Sequence, residues 1–512
     1  MRSRLCSLCI GVSLLLSASA FADDTEVTPD KYSKTSEQKL MLTGDIKFSI
    51  PEKYFQRLYG DLGFNRFNMS VKTNDPNDPK VEAWCEQAVK DTQTRRDEVD
   101  GETGDAVVTL KAKIERCSQV FLHDLHVTHH CDRVQPKKGS AYFACKVEAT
   151  AVITKFRADQ SSGKLHYAVD TKFGVGGKIT KKADSTGTGT IKGRSRDEAI
   201  DVAIKSGAST AGLFLKRALR DIKEFQLSTP VIRSKGGIAY GCLGRDTTEL
   251  DTPFHIIFKS PAGEKRTGFV KARAIFDGCT ETPSMRAKKG GKFEIKPFEA
   301  EIILGGSDIK PGHTFWEMPS IGLNIGGFVG VAGTVGFFSG NVGPGGGLAV
   351  EFNLAPYVGV SELHTFLNST FVVNINDGTI MNAFKSVSQL SNIVEGSPFA
   401  IQADLGVLKR FYFAGPLFAD IGAAFAFSYY VVSLHEAYSD WSVGLMAIGG
   451  TVHAGIGYQL TPRLLMRLNI GFRAGLTLPS AKDQNDDDLD LDNINLGAEL
   501  GPLARLVFLY NI

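Results

Sequence analysis

The chain has 512 residues, with 58 Lys and Arg against 56 Asp and Glu for a net charge of +2; 43% of it is hydrophobic and 54 residues are glycine. A balance this near neutral gives no support to nucleic acid as a partner, and the length allows two or three domains. Beyond the amino-terminal segment no apolar run reaches the roughly 20 residues of a transmembrane helix, which excludes a helical inner-membrane protein.

Residues 1–22 read as a secretory signal: Arg2 and Arg4, an apolar core at 10–16, and the small-residue site Ala20-Phe21-Ala22. Cys6 and Cys9 lie upstream of that core, away from the place of a lipid-anchored cysteine, so anchoring falls to the other end of the chain. Residues 23–105 are polar and mixed, a first periplasmic subdomain with ordered pieces expected at 43–67 and 81–90.

An α+β domain is expected over 106–227, with strands at 106–115, 120–131, 142–156 and, after the turn Ser161-Ser162-Gly163, 166–173. The Gly/Thr/Lys-rich stretch 174–193 reads as mobile. Ser195 and Glu198 then form a capping box, followed by Ile200, Ile204, Ala208, Ala211, Leu215, Ala218, Ile222 and Phe225 at helical spacing. Strands at 230–242, 254–259, 267–276 and 293–304, punctuated by Gly, Pro and Asp, predict a small β-barrel subdomain over 228–314.

The mature cysteines Cys85, Cys117, Cys131, Cys145, Cys242 and Cys279 form an even set that lies wholly before residue 315. In an oxidising periplasm such a set is a disulfide framework. Cys131 and Cys145 flank Pro136-Lys137-Lys138-Gly139 symmetrically, which predicts a bridge across a hairpin. Cys242 with Cys279 is the second expected pair, and Cys85 and Cys117 are the further candidates.

Residues 315–512 sort by parity, because a strand sends alternate side chains to opposite faces. In 463–478 the even positions include Leu464, Met466, Leu468, Ile470, Phe472 and Leu476, against Arg463, Arg467, Asn469 and Arg473 at odd ones, with Leu465 out of pattern. The last strand repeats this with Leu506, Phe508 and Tyr510 against Glu499, Arg505 and Asn511. So do 417–431 (Ile421 and Phe425 against Asp420 and Ser428), 446–460 (Ile448 and Val452 against Thr451 and His453) and 399–407, where Gln402 and Asp404 face inward. Looser strands begin at Ile321, run through Glu351, and fall within 361–376. This dyad pattern predicts an eight-stranded antiparallel transmembrane β-barrel. External loops are expected at 339–347, 376–398, 435–440 and 479–493, and tight periplasmic turns around Pro356, Gly415-Pro416 and Thr461-Pro462.

Two resemblances follow from these residues. The order of strands, the helix ending at Phe225, the strands at 231–244 and 268–274, and Ile309-Lys310-Pro311-Gly312 resemble the periplasmic assembly domains related to TolB, the flagellar-ring assembly protein T and the curli-secretion lipoproteins, over roughly residues 106–312. That likeness implies an adaptor or assembly factor rather than an enzyme, here without the lipoprotein anchor. The barrel is similar to the OmpA-type and opacity-protein family, which implies an anchor or an adhesin. Phe508, Tyr510 and Ile512 resemble the terminal sorting signal of that class, with Ile512 where Phe or Trp is more usual.

His123, His126, His129 and His130 beside Cys131 suggest zinc or copper, but strand parity splits them into two pairs and a disulfide removes Cys131 as a ligand. The acidic run Asp483, Asp486, Asp487, Asp488, Asp490 and Asp492 offers calcium carboxylates, or a bridge to lipopolysaccharide phosphates, without the glycine and distal glutamate of an EF-hand. Inside the barrel Glu351, Asp404, Asp420 and Glu499 meet Arg467, Arg473, Arg505 and His453. Eight strands leave room only for side chains, so these charges must satisfy one another and plug the cylinder. Arg286, Lys288, Lys289 and Lys292 read as a solvated basic loop. No phosphate loop, metalloprotease helix or nucleophile elbow is present, and His364 and His435 lack matched Ser and carboxylate partners.

The expectation is a non-enzymatic, cofactor-free outer-membrane protein with a periplasmic adaptor domain. Its partners are outer-membrane lipid, lipopolysaccharide and an envelope protein, with no nucleic acid. The alternative is a surface adhesin or host-factor receptor working through the external loops.

Overall fold

The computed structural model describes residues 39–56, 69, 71–100, 117–137, 139–161, 164–243, 248–260, 263–276, 298–333, 342–373, 399–431, 442–482 and 498–512. The expected strand at 106–115, the basic loop at 286–292 and most of the external loops lie outside these residues.

The first sheet has five strands in the order β1 (Leu40–Phe48), β2 (Val120–Val134), β3 (Tyr142–Ser161) and β4 (Lys164–Val169), with β5 (Lys178–Thr190) also paired to β3. β1 runs parallel to β2 and the other pairings are antiparallel. One face carries Phe121, Leu125, Val147 and Ala149 against Ala211 and Leu215 of the long helix Arg196–Arg220. That helix starts as the sequence predicts: the Ser195 hydroxyl accepts the Glu198 N–H, and the Glu198 carboxylate accepts the Ser195 N–H at 2.8 Å. On the other face Leu40, Val120, Phe156 and Tyr167 pack with Val81 and Cys85, residues of the helix Pro79–Asp100.

The stretch expected to be mobile is largely β5. Its glycines are packing positions: a Cβ at Gly187 would stand 2.0 Å from the Ala203 carbonyl oxygen, and one at Gly189 1.8 Å from that of Ala199. Glycine there lets the helix backbone lie directly on the strand.

Cys131 faces Cys145 in the β2–β3 register and the two are bridged, as expected. A second disulfide joins Cys85 to Cys117. Cys242 is disulfide-bonded, while Cys279 lies outside the described residues.

The second sheet has seven strands, β6 (Ser228–Pro230), β7 (Arg233–Lys235), β8 (Ile238–Gly241), β9 (Pro253–Ser260), β10 (Gly263–Ala274), β11 (Phe298–Leu304) and β12 (Thr314–Glu317), in the order β6-β12-β9-β10-β11-β8-β7. It rolls around Val231, Phe254, Val270, Phe298 and Phe315. The expected small barrel is thus a rolled sheet in which β6 meets the residue after β8 through the Thr229 hydroxyl and the Cys242 backbone rather than through a ladder. The predicted single strand 230–242 is broken because Gly236 and Gly237 take φ of 61° and 80° and turn β7 into β8.

The carboxy-terminal strands β13 (Leu323–Gly333), β14 (Val342–Asn353), β15 (Leu363–Val373), β16 (Phe399–Ala414), β17 (Leu417–Val431), β18 (Ser442–Gln459), β19 (Leu464–Lys482) and β20 (Ala498–Asn511) form a closed antiparallel barrel, β13 pairing with β20. Ile421, Phe425, Val452, Ile456, Ile470 and Leu476 stand exposed on its outside, while Glu351, Gln402, Asp404 and Asp420 are buried within. Leu465, the exception to parity, joins Phe328, Ala349, Phe418, Val507 and Leu509 in an apolar cluster inside the barrel. Several boundaries differ from expectation: β18 begins at Ser442 and not at 446, and β19 runs to Lys482, into the loop expected from 479. β16 extends well past residue 407, and residues 343–347, expected in a loop, belong to β14, where a Cβ at Gly347 would meet the Ser369 carbonyl oxygen at 1.8 Å.

Candidate functional site

Two connected sites stand out: the charged interior of the barrel and the mouth at which the rolled sheet docks. The first is built by strand parity, which turns alternate residues of β14, β16, β17, β19 and β20 inward.

In the interior, Arg467 lies between two carboxylates, 2.5 Å from Glu351 and 2.9 Å from Asp420. Arg410 reaches Glu351 at 3.1 Å. Higher up, Asp404 pairs with Arg473 at 2.7 Å and Arg505 at 2.8 Å, and accepts the Thr451 hydroxyl. Arg473 also donates to the Phe427 carbonyl at 2.6 Å. His453 stands edge-on to Phe366, ring centroids 5.2 Å apart. Removing such ions from water costs several kcal/mol each, which pairing and further hydrogen bonds offset.

The sequence reading thus placed Glu351, Asp404, Asp420, His453, Arg467, Arg473 and Arg505 together. Glu499 sits in β20 opposite Gly475, with its side chain outside the described set. Arg410 lies beyond residue 407, where the sequence pattern ends this strand. The parity that turned Gln402 and Asp404 inward also turns position 410 inward.

The mouth lies at the short-turn end, as expected around Pro356, Gly415-Pro416 and Thr461. There Arg273 of β10 pairs with Asp251, with Glu301 at 2.7 Å and with Glu362 at 2.9 Å, and Lys271 reaches Glu362 at 2.7 Å. Glu362 belongs to the turn between β14 and β15. Asp251 accepts its backbone N–H at 2.5 Å, the Ser361 hydroxyl at 2.7 Å and the Asn353 amide at 3.2 Å. Lys271 and Arg273 also lie over the Tyr412 ring of β16, at 5.4 and 5.6 Å, and Phe269, Ile303 and Met318 add an apolar patch against it.

Burial pushes the Glu362 carboxyl up, but Lys271, Arg273 and His364 outweigh it and hold the group well below the usual carboxylate range. Glu362 Oε2 meets His364 Nε2 at 3.2 Å. Sequence missed this cluster because its members are scattered from 251 to 412, and only folding gathers them.

The four histidines are dispersed. His123 is buried, which pushes its pKa down to about 4. His126 meets Asp45, His129 meets Ser49 and His130 meets Asp132, each at the surface. Among the described residues no group of three or more possible ligands converges on a metal position. Asp486, Asp488, Asp490 and Asp492 lie outside the described residues.

No protein-family model and no curated relative matches the chain. Among solved structures it is similar to Neisserial surface protein A, at 11% identity over 37% of this chain and 96% of that one, with a TM-score of 0.24. It is similar also to a major outer membrane protein from Thermus thermophilus, at 15% identity over 37% and 99%, with a TM-score of 0.25. A third is Ail, the attachment invasion locus protein of Yersinia pestis, at 8% identity over 37% and 96%, with a TM-score of 0.20. Likenesses this faint carry no argument about function.

Proposed function

We propose that the protein is a non-enzymatic outer-membrane protein whose barrel anchors a disulfide-bonded periplasmic domain that binds other envelope proteins. The observation that carries this reading is the docked mouth, where buried Lys271 and Arg273 fix the rolled sheet to the Glu362 turn of the barrel. An apolar exterior suits lipid. A lumen filled by paired charges leaves the cylinder as an anchor rather than a conduit. Short turns at the docked mouth, against the long connections 374–398 and 483–497 at the other end, match the periplasmic and external ends of such barrels.

Anchoring raises the domain's effective concentration for partners in the envelope. The surface available to a protein partner is the outer face of β2, β3 and β5, where His126, Thr128, His130, Lys146, Glu148 and Asp184 are all exposed and polar. The test is a photo-crosslinking residue at Thr128 in intact cells, with Lys265 as the control position. A discrete envelope protein captured from position 128 alone supports the reading. No specific capture, or the same species from position 265, overturns it.

A further inference from the structure

A cleft opens between the carboxy-terminal half of the long helix and the docked mouth of the barrel. Its helix wall carries Lys216, Arg217 and Arg220, and its barrel wall carries Tyr357, His364 and Arg410; Glu249, Asp251 and Glu317 line it too, with Asp251 already paired to Arg273 and Glu317 already accepting the Leu227 N–H. Positions 213, 216, 217 and 220 share one helical face, so the three cations point to the same side. Tyr357 sits in the β14–β15 turn with Val358 and Val360, all three about half exposed. Tyr357 and Arg220 face the same cleft, which sets Arg220 on the side of the barrel rim.

Two deeply buried groups line the cleft with unfilled hydrogen-bonding positions. His364 and Arg410 are 2% and 1% exposed, and His364 Nδ1 and Arg410 Nε have no hydrogen-bond partner. Arg217 Nε is in the same condition. Guanidinium N–H groups are donors only, so what completes Arg217 and Arg410 is an acceptor carrying negative charge and several oxygens.

We propose that the cleft binds a phosphate group, supplied by an anionic lipid headgroup of the adjacent leaflet or by free phosphate, with Arg217 and Arg220 as its principal ligands. Arginine's fork matches phosphate oxygens bidentately. The half-exposed Tyr357, Val358 and Val360 give a headgroup's acyl chains an apolar path onto the barrel wall. The lipid source rests on the membrane placement proposed above; phosphate binding does not.

The experiment uses the full-length protein in phosphatidylglycerol-containing vesicles, read by native mass spectrometry, and in detergent, read by calorimetric titration with inorganic phosphate. The variants are Arg217→Gln with Arg220→Gln, and Arg217→Lys alone as a charge-keeping control. One retained phosphatidylglycerol that the double variant holds about tenfold or more weakly, and that Arg217→Lys holds at an intermediate strength, establishes the lipid source. Phosphate binding with the same variant dependence, but no retained lipid, establishes the free anion. Neither ligand bound, or equal binding by the double variant, overturns the site. Heat-modifiable migration of the same preparations reports the barrel separately, so lost binding beside an intact barrel counts against the cleft and not against the membrane placement.

Discussion

The Asp251 carboxylate accepts the backbone N–H of Glu362 at 2.5 Å, and these are the two described non-glycine residues with left-handed backbones, at φ of 62° and 52°. Each such conformation costs roughly 1–2 kcal/mol. Both persist at one junction because Arg273 grips both side chains.

Removing Arg273 leaves the carboxylates of Asp251, Glu301 and Glu362 short of their shared cation. Arg273→Met is expected to weaken docking by about 3–5 kcal/mol, measured by denaturant titration of Trp316 fluorescence in the reconstituted protein. Pairing it with Glu362→Gln in a double-mutant cycle should recover a coupling of about 1–3 kcal/mol. A single-variant loss below about 1 kcal/mol would mean that the junction is incidental.

The docking should also be acid-sensitive in a defined window. A carboxyl whose folded pKa lies below its ordinary value of 4.5 contributes stability above 4.5 that is lost as pH falls through the folded pKa. Domain release, followed by protease accessibility, is therefore expected below pH 4.5 and not between 7 and 5. Glu362→Gln should flatten that response.

His123 gives a second, separable window. Its folded pKa is pushed down to about 4 from 6.5 by burial, so the unfolded chain binds the proton first. Its contribution is complete above 6.5 and declines as pH falls toward 4, by on the order of 3 kcal/mol. His123→Leu should abolish the pH dependence of domain unfolding over that range, and an unchanged profile would show that His123 is not its source.

A methyl group at Gly189 would strike the Ala199 carbonyl oxygen. Gly189→Ala is expected to destabilise the amino-terminal sheet by about 1–3 kcal/mol, seen as a lowered unfolding midpoint, while the exposed Gly193→Ala should have an effect traceable to its φ of 73° alone.

Inside the barrel, Arg467→Met leaves Glu351 without one of its cations and Asp420 without its guanidinium. Unfolding in detergent should come about 3–5 kcal/mol earlier, with Arg467→Met and Asp420→Asn together losing less than the single change, because Glu351 keeps Arg410. Planar-bilayer recording of the unaltered protein should show no steady conductance, and a large steady current would contradict a plugged lumen.

Barrel chemistry was legible because membrane strands carry a strict period of two: residues as far apart as Asp404 and Arg505 fell on the same side from parity alone. The histidine separation was legible from the same parity in β2, and the Cys131–Cys145 bridge from the symmetric spacing of the two cysteines about the turn at 136–139. β5 was not, because a glycine that packs a helix and a glycine that loosens a loop look alike until the partner surface is known. The junction was hidden because Asp251, Arg273 and Glu362 are surface-like charges whose burial arises only when two domains meet.

The position of Glu362 also orders assembly in time. Asp251 and Arg273 are synthesised before any barrel strand, whereas the turn that receives them needs β14 and β15 paired, with the Glu362 carbonyl held by the Arg410 backbone of β16. The latch therefore closes only after β14, β15 and β16 have come together. The amino-terminal charges thus wait on one segment of the wall, and their closure reports that this segment is in place.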